Sequence, residues 1–135
     1  MPTLNAREIA LHAARIAWEK DGQELRVLEF PAGGTLYDYC VLVSGRSDRQ
    51  VKAIVDELWH FAKRQGLPRL PVEGASGWMV IDLLDVVVHA FGPEQRIHYA
   101  LDTLWPQARI LDHEAEFKRL PKLDYVRRPP APAHV

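Results

Sequence analysis

The sequence is short of cysteine, of charge of one sign and of long apolar runs. Its 135 residues include a single cysteine, and 17 basic residues are nearly balanced by 18 acidic ones. No stretch approaches the roughly 18 consecutive apolar residues of a membrane-spanning helix. Proteins that bind RNA mainly through its phosphates usually carry a marked basic excess. We therefore expect no membrane span and, on any ribonucleoprotein, contacts with protein more than with RNA.

The N-terminus and the lone cysteine both indicate a reducing compartment. The first residues lack the apolar core of a secretory signal and the Arg- and Ser-rich pattern of a transit peptide. Cys40 has no partner for an internal disulfide and lies within the apolar run at residues 39–43. A buried structural thiol is favoured over a nucleophile, since no Cys-His-Asn context surrounds it. The expected location is the cytoplasm of a bacterium.

The composition is that of one ordinary globular domain. Hydrophobic residues make up 47% of the chain and charged residues 26%, which is enough for a core without disulfides or metal. The patterns that indicate helices and strands weaken after about Ile110. We therefore predict one domain at residues 1–110 and a C-terminal extension at residues 111–135, partly flexible and Pro-rich. Residues 113–120 are a candidate short helix within that extension.

Hydrophobic periodicity predicts an α/β fold. Asn5 with Glu8, and Ser47 with Gln50, have the spacing of capping boxes at the starts of two helices. Helices are predicted at residues 5–20, 47–65 and 93–105, strands at residues 25–30 and 39–43, and a hairpin at residues 78–91. The predicted architecture is a single small mixed sheet with helices packed mainly on one face.

The hairpin separates two kinds of surface. Residues 78–91 alternate about Leu84-Asp85, which predicts a two-residue loop, and directly opposed residues then share a face. One face is wholly apolar and is expected to be core: Met79, Ile81, Leu83, Val86, Val88 and Ala90. The other mixes aromatic and polar side chains: Trp78, Val80, Asp82, Val87, His89 and Phe91. Such a mixture is typical of a partner-facing surface. Trp78 and Phe91 taken as isolated aromatic residues favour a core instead, so the hairpin pattern by itself leaves both interpretations open.

No catalytic or metal site is predicted. The six histidines include no close pair at metal-binding spacing, so no metal or cofactor is expected. Asp82 and Asp85 resemble the paired aspartates that hold magnesium in nucleotidyltransferases. Their spacing places Asp85 in the hairpin loop, however, and no Gly-Ser loop precedes them. At residues 44–50, a plain helix start is favoured over an anion site because Ser47 is already used as a cap.

Three blocks of the chain, in order, resemble those of the ribosomal silencing factor, or Iojap-like, family. The first, at residues 38–51, reads Asp-Tyr-Cys-Val-Leu-Val-Ser-Gly-Arg-Ser-Asp-Arg-Gln-Val. The second is Glu73-Gly74 followed, at residues 78–89, by Trp-Met-Val-Ile-Asp-Leu-Leu-Asp-Val-Val-Val-His. The third comprises Pro93-Glu94, Arg96, Tyr99, Leu101 and Leu104-Trp105. The likeness covers about residues 6–108, which is nearly the whole predicted domain.

The resemblance implies a non-enzymatic translational repressor with an α/β fold of nucleotidyltransferase-like topology. Family members bind ribosomal protein fourteen of the large ribosomal subunit and sterically block joining of the small subunit. They often form homodimers when free, and organellar relatives assist large-subunit assembly. Two alternatives stay open: an assembly factor using the same contact and, less favoured, a nucleotidyltransferase-like enzyme.

The resemblance also implies a site. The ribosome-facing surface of the family includes a tryptophan that matches Trp78, which is the expected hydrophobic anchor. Val80, Val87 and Phe91 would surround that anchor. Asp82 and His89 would supply hydrogen bonds to a basic partner.

One position departs from the family pattern. Many members have glycine where this chain has Leu84, and glycine readily adopts the positive φ of a tight two-residue turn. Leucine at this position favours a longer turn or one of another type. A register shift of one residue would exchange the two faces of the hairpin.

Overall fold

The computed structural model describes residues 4–33, 36–75 and 77–123, which form four α-helices and six strands. The helices are α1 (Ala6–Glu19), α2 (Asp48–Arg64), α3 (Pro93–Tyr99) and α4 (His113–Arg119), with a 3-10 turn at Leu101–Thr103. The strands are β1 (Gln23–Glu29), β2 (Tyr39–Ser44), β3 (Glu73–Ala75), β4 (Trp78–Asp82), β5 (Val86–Phe91) and β6 (Arg109–Ile110). The predicted helix, two strands, helix, hairpin and helix occur in that order, and the short strands β3 and β6 are additions that were not predicted.

The strands form one mixed sheet in the order β3-β4-β5-β2-β1-β6. The central strands β2 and β5 run parallel, and every other neighbouring pair is antiparallel. Every residue of β2 is buried, as expected for a strand that is covered on both faces. Each edge strand has only two or three residues, so little backbone is left unpaired at the edges. The predicted α/β class with a single mixed sheet is confirmed.

Helices α1 and α2 cover one face of the sheet, which we call the helix-covered face. The predicted capping box of α1 is present: Glu8 N donates to Asn5 Oδ1 at 2.8 Å, and Asn5 N donates to Glu8 Oε1 at 3.0 Å. Large buried side chains from both helices pack against the sheet and include Ile16, Ile54, Leu58 and Phe61. This face holds the main hydrophobic core.

The start of α2 differs from its predicted capping box. Ser47 Oγ accepts from Gln50 N at 3.2 Å, which confirms the cap. The Gln50 side chain does not return to Ser47; its oxygen accepts from Arg46 N at 2.6 Å. Its amide nitrogen donates to the carbonyls of Lys20 and Asp21, at 3.0 Å each. Gln50 therefore ties the start of α2 to the end of α1, a long-range contact that local spacing does not reveal.

The opposite face, which we call the open face, is covered only in part. A second apolar cluster lies there, and its buried members are Leu28, Phe30, Cys40, Leu42, Val87 and Phe91. Leu101, Trp105 and Ala108 pack over it, and the Trp105 ring meets Phe30 edge-on at 5.2 Å between centroids. Cys40 is fully buried, as predicted, and burial raises the pKa of its thiol to about 12.

The third helix is shorter than its periodicity predicts. The prediction extended it to Trp105, but α3 ends at Tyr99 and Ala100 adopts a left-handed φ of 48°. Ile97 and Leu104 both fall within the predicted helix, and both are exposed. The helix ends early because the following segment turns back over the sheet, where Leu101 and Trp105 gain apolar contacts.

A buried arginine fastens that segment. Arg96 is 5% exposed, and its Nε and Nη2 donate to the two carboxylate oxygens of Asp102 at 2.8 Å. Its guanidinium also donates to Ser44 Oγ at 3.0 Å and to the Glu24 carbonyl at 2.7 Å. The bond from Arg96 holds the pKa of Asp102 below its usual range. One side chain thereby joins α3 and the following turn to β1 and β2.

The segment after β6 packs on the domain. Leu111 is buried in the main core, and α4 lies where a short helix was predicted at residues 113–120. The Arg15 guanidinium donates to the carbonyl oxygens of Phe117 and Leu120. The division at residue 110 stays a prediction, and the Pro-rich stretch at residues 127–132 lies outside the described residues. Within the described part, no helix combines the length and apolar character that crossing a membrane requires.

Candidate functional site

The β4–β5 hairpin has the register predicted from its alternation. Trp78 pairs with Phe91, Val80 with His89, and Asp82 with Val87. Leu83 N donates to the Val86 carbonyl at 2.8 Å, which leaves Leu84 and Asp85 as a two-residue loop. The two faces therefore lie as predicted, and the apolar one belongs to the main core.

Of the two alternatives expected for this turn, the longer loop is wrong and the different turn type is confirmed. Leu84 itself adopts a φ of 72°, the left-handed conformation for which glycine is usually needed. Its backbone amide donates to Asp82 Oδ1 at 2.8 Å. Asp85 N donates to the Leu83 carbonyl at 3.0 Å, which closes a γ-turn about Leu84. The carboxylate of Asp82 thus helps to hold a backbone conformation that leucine disfavours.

All six residues of the predicted site share the open face, at different depths. Trp78, Val80, Asp82 and His89 are partly exposed. Val87 and Phe91 are buried in the second apolar cluster. In the free chain these two side chains form the floor of the surface rather than its accessible part. We call the partly exposed set of Trp78, Val80, Asp82 and His89 the tryptophan surface.

Three rings are layered in the tryptophan surface and its floor. Trp78 stacks on Phe91 with centroids 5.3 Å apart, and His89 lies nearly parallel to Phe91 at 6.0 Å. The Trp78 indole N–H donates to His89 Nδ1 at 3.1 Å. Such ring pairs and the hydrogen bond fix the orientation of Trp78 before any partner arrives. A fixed anchor loses little side-chain freedom on binding.

The same hydrogen bond determines what His89 offers to a partner. Burial lowers the pKa of His89 to about 4, so its imidazole is neutral at pH 7. Because Nδ1 accepts from Trp78, the single ring proton is assigned to Nε2. His89 is therefore a hydrogen-bond donor through Nε2, while the indole N–H of Trp78 is engaged within the chain.

Asp82 joins three segments of the chain at the loop end of the hairpin. Besides accepting from Leu84 N, its carboxylate accepts from the Tyr37 hydroxyl at 2.6 Å, and its carbonyl accepts from Leu70 N at 3.0 Å. The hydrogen bond to Asp82 is the main reason that the pKa of Tyr37 is raised to about 12. Tyr37 was not predicted, since no periodicity marks a residue in an irregular loop.

The side chains of the site are of kinds that occur in recognition surfaces. Of the two aspartates considered for magnesium, Asp82 has its carboxylate oxygens bonded to Tyr37 and Leu84. Asp85 lies in the loop, as its spacing predicted. Among the described residues, no group of three His, Cys, Asp or Glu side chains is arranged to hold a metal ion. An apolar ring, an imidazole donor and a carboxylate on one sheet face are suited to binding another macromolecule.

Comparison with protein families gives a match over almost the whole chain. The family described as ribosomal silencing factor during starvation matches residues 3–133. A ribosomal silencing factor of Bacillus subtilis is 32% identical over 111 residues, which cover 81% of this chain and 94% of the relative. A mouse protein named mitochondrial assembly of ribosomal large subunit protein 1 is 29% identical over 103 residues, 73% of this chain and 45% of that protein.

Solved structures show the same fold. A crystal structure of a Chromobacterium violaceum protein superposes with a TM-score of 0.71 at 28% identity, covering 76% of this chain and 87% of that one. A Bacillus halodurans protein superposes with a TM-score of 0.66 at 35% identity. That superposition covers 79% of this chain and the whole of the other.

Proposed function

The chain belongs to the ribosomal silencing factor family, and on that basis we propose that it is a translational repressor of the large ribosomal subunit. It binds ribosomal protein fourteen through the tryptophan surface and sterically blocks joining of the small subunit. The observation that carries the proposal is the Trp78 ring, preset by His89 and Phe91 on a sheet face that helices leave open. It acts in the cytoplasm and catalyses no reaction.

The groups on the tryptophan surface favour a protein partner over RNA. Trp78 offers an apolar ring, and tryptophan is one of the residue types enriched among the residues that contribute most to binding at the centres of protein interfaces. His89 offers an Nε2 donor, and carboxylate oxygens such as those of Asp82 have acceptor sites beyond two hydrogen bonds. The chain as a whole carries a net charge of −1, which gives it no general attraction for phosphates.

A role in large-subunit assembly is the second candidate. It is favoured by the name of the mouse relative, which describes assembly of the ribosomal large subunit. Assembly assistance would use the same contact, so depletion of the chain would separate the two functions. Loss of repression alone leaves mature large subunits at normal levels, whereas loss of assembly assistance leads to immature particles on a sucrose gradient.

Co-sedimentation with purified large subunits tests the proposed contact. Trp78→Ala removes the anchor, and truncating an interface tryptophan commonly costs about 2–4 kcal/mol, at least roughly a thirtyfold loss of affinity. Trp18→Ala is the matched control, because Trp18 is 54% exposed on α1, on the other side of the sheet. Wild type and Trp18→Ala should sediment with large subunits and reduce joining to small subunits, and folded Trp78→Ala should do neither.

Two other outcomes of that experiment are informative. Equal binding of wild type and both variants would support ribosome association but reject the tryptophan surface as the contact. Absence of wild-type binding would reject the proposed function itself. Circular dichroism of each variant establishes that a loss of binding is not a loss of folding.

We also propose that free chains form a homodimer through the tryptophan surface. Since one surface cannot serve two partners at once, dimer and ribosome complex would exclude each other. Mixing the dimer with isolated ribosomal protein fourteen should then give one-to-one complexes, as measured by light scattering after gel filtration. Two-to-two complexes that retain the dimer interface would contradict the shared surface.

A further inference from the structure

Three exposed leucines lie around Asp82 at the loop end of the hairpin. Leu84 and Leu70 are both 46% exposed, and their backbone amides donate to the carboxylate and the carbonyl of Asp82. Leu36 is 91% exposed and precedes Tyr37, whose hydroxyl donates to the same carboxylate. We call Leu36, Leu70 and Leu84 the leucine tip. Asp82 thus fastens three separate segments whose apolar side chains face solvent.

The backbone at Leu84 is strained. A γ-turn with a positive central φ is rare, and here it is centred on a branched side chain with φ 72°. The exposed Leu84 side chain contributes little to the core, so packing does not account for a leucine at this position. Strain of this kind, held by surrounding hydrogen bonds, is concentrated at functional sites. Strain at an exposed leucine therefore points to a functional role for Leu84.

Three acidic residues lie on the segments next to the leucine tip. Asp85 is adjacent to Leu84, and Asp38 N donates to the Asp85 carbonyl at 2.8 Å. Glu73 pairs with Val80 across the β3–β4 ladder, two residues from Asp82. All three side chains are exposed. The carboxylates repel phosphates, and together with the leucines they are complementary to an apolar patch within a basic protein surface.

We propose that the leucine tip is a second contact of this chain with the large ribosomal subunit, made with a basic protein surface. The inference rests on the proposed function and extends it beyond the tryptophan surface. Along β4, Trp78 and Asp82 are four residues apart, or about 13 Å. An ordinary interface of about 800 Å² per partner is roughly 28 Å across. One interface can therefore include both the tryptophan surface and the leucine tip.

Leu84→Gly separates binding from folding at the leucine tip. Glycine adopts the positive φ without a Cβ penalty, so the melting temperature should stay equal or rise. Loss of the side chain should weaken co-sedimentation with large subunits roughly five- to tenfold. Leu70→Ala, which leaves the turn unchanged, should weaken binding by a smaller factor. The matched control is Ile110→Ala, since Ile110 is 62% exposed on the opposite sheet edge; it should bind like wild type.

Charge reversal identifies the class of partner. Asp85→Lys should weaken binding to large subunits if the leucine tip meets a basic protein surface, and stronger binding would assign it to RNA phosphates and overturn the proposal. Wild-type affinity in both Leu84→Gly and Leu70→Ala would also overturn it, while leaving the Trp78 contact intact. If wild type itself fails to sediment with large subunits, the proposed function fails and the leucine tip contact with it.

Discussion

The two faces of the sheet differ in how they are covered. On the helix-covered face, α1 and α2 enclose a continuous core. On the open face, six buried residues form a smaller cluster, over which an irregular segment with Trp105 packs, and the tryptophan surface stays accessible beside it. The comparison shows that alternation along a strand determines which residues share a face. Contacts distant in sequence determine which face is enclosed.

The largest expected effect tests whether the open face contains a true core. Phe61 on the helix-covered face and Phe91 on the open face are both fully buried. Phe61→Ala and Phe91→Ala should each lower the free energy of unfolding by about 3–5 kcal/mol, because each leaves a cavity. Val80→Ala, at a partly exposed position of the same hairpin, should cost less than about 1 kcal/mol. Urea denaturation measures all three, and a Phe91→Ala cost no larger than that of Val80→Ala would contradict the second core.

The next effect concerns the segment that packs over the open face. Arg96→Met removes every hydrogen bond that the Arg96 guanidinium donates to Asp102, Ser44 and the Glu24 carbonyl. We expect a loss of about 2–3 kcal/mol in the free energy of unfolding, with increased protease cleavage after α3. Arg26→Met, at an exposed position of β1, is the control and should be nearly neutral. Equal stability of the two variants would show that the arginine does not fasten this segment.

The third effect is pH dependence, which compares one histidine on each face. Burial lowers the pKa of both His12, in α1, and His89, in β5, to about 4 from the usual 6.5. Between pH 6.5 and 4 the unfolded chain binds more protons than the folded one, so stability is lost as the pH falls through this window. By pH 5 each histidine should account for a loss on the order of 1–2 kcal/mol relative to pH 7.

Substitution isolates each histidine. His12→Gln and His89→Gln should each have a smaller difference in unfolding free energy between pH 7 and pH 5 than wild type. If one variant keeps the full wild-type difference, the histidine on that face is not the source of the pH dependence.

The smallest expected effect tests the hydrogen bond between Tyr37 and Asp82 on the open face. Tyr37→Phe removes the hydroxyl that donates to the Asp82 carboxylate. A single hydrogen bond at a partly exposed site is worth about 0.5–1.5 kcal/mol. Thermal unfolding should show that loss, and Tyr39→Phe, which removes a bond to Glu29, offers a comparison at β2. An unchanged melting temperature in Tyr37→Phe would show that the hydrogen bond to Asp82 does not help to hold the three segments together.

The spacing of residues in the sequence predicted those parts of the fold that are formed by residues close together in the chain. The Asn5 capping box and the full pairing of β4 with β5 follow from spacing alone. The α3 end was not predictable, because Ala100 turns left-handed to let Trp105 reach Phe30, far away in sequence.

The candidate site was predictable in its residues but not in their depth or partners. Alternation identified the six residues of the open face, yet Val87 and Phe91 are buried by a segment that no period marks. The roles of Tyr37 and Gln50 were also missed, since each side chain binds a segment distant in sequence. The Leu84 turn shows the opposite case: its residue type disfavours the conformation, and the Asp82 carboxylate helps to hold it.

The most direct measurement of the central claim is site-specific photocrosslinking to purified large ribosomal subunits. The photoreactive amino acid p-benzoylphenylalanine would replace Val80 on the open face in one sample and Trp18 on the helix-covered side in another. We predict that the probe at residue 80 crosslinks to a protein of the large subunit and that the probe at residue 18 does not. Crosslinks from residue 18 alone would show that the chain binds through the opposite side.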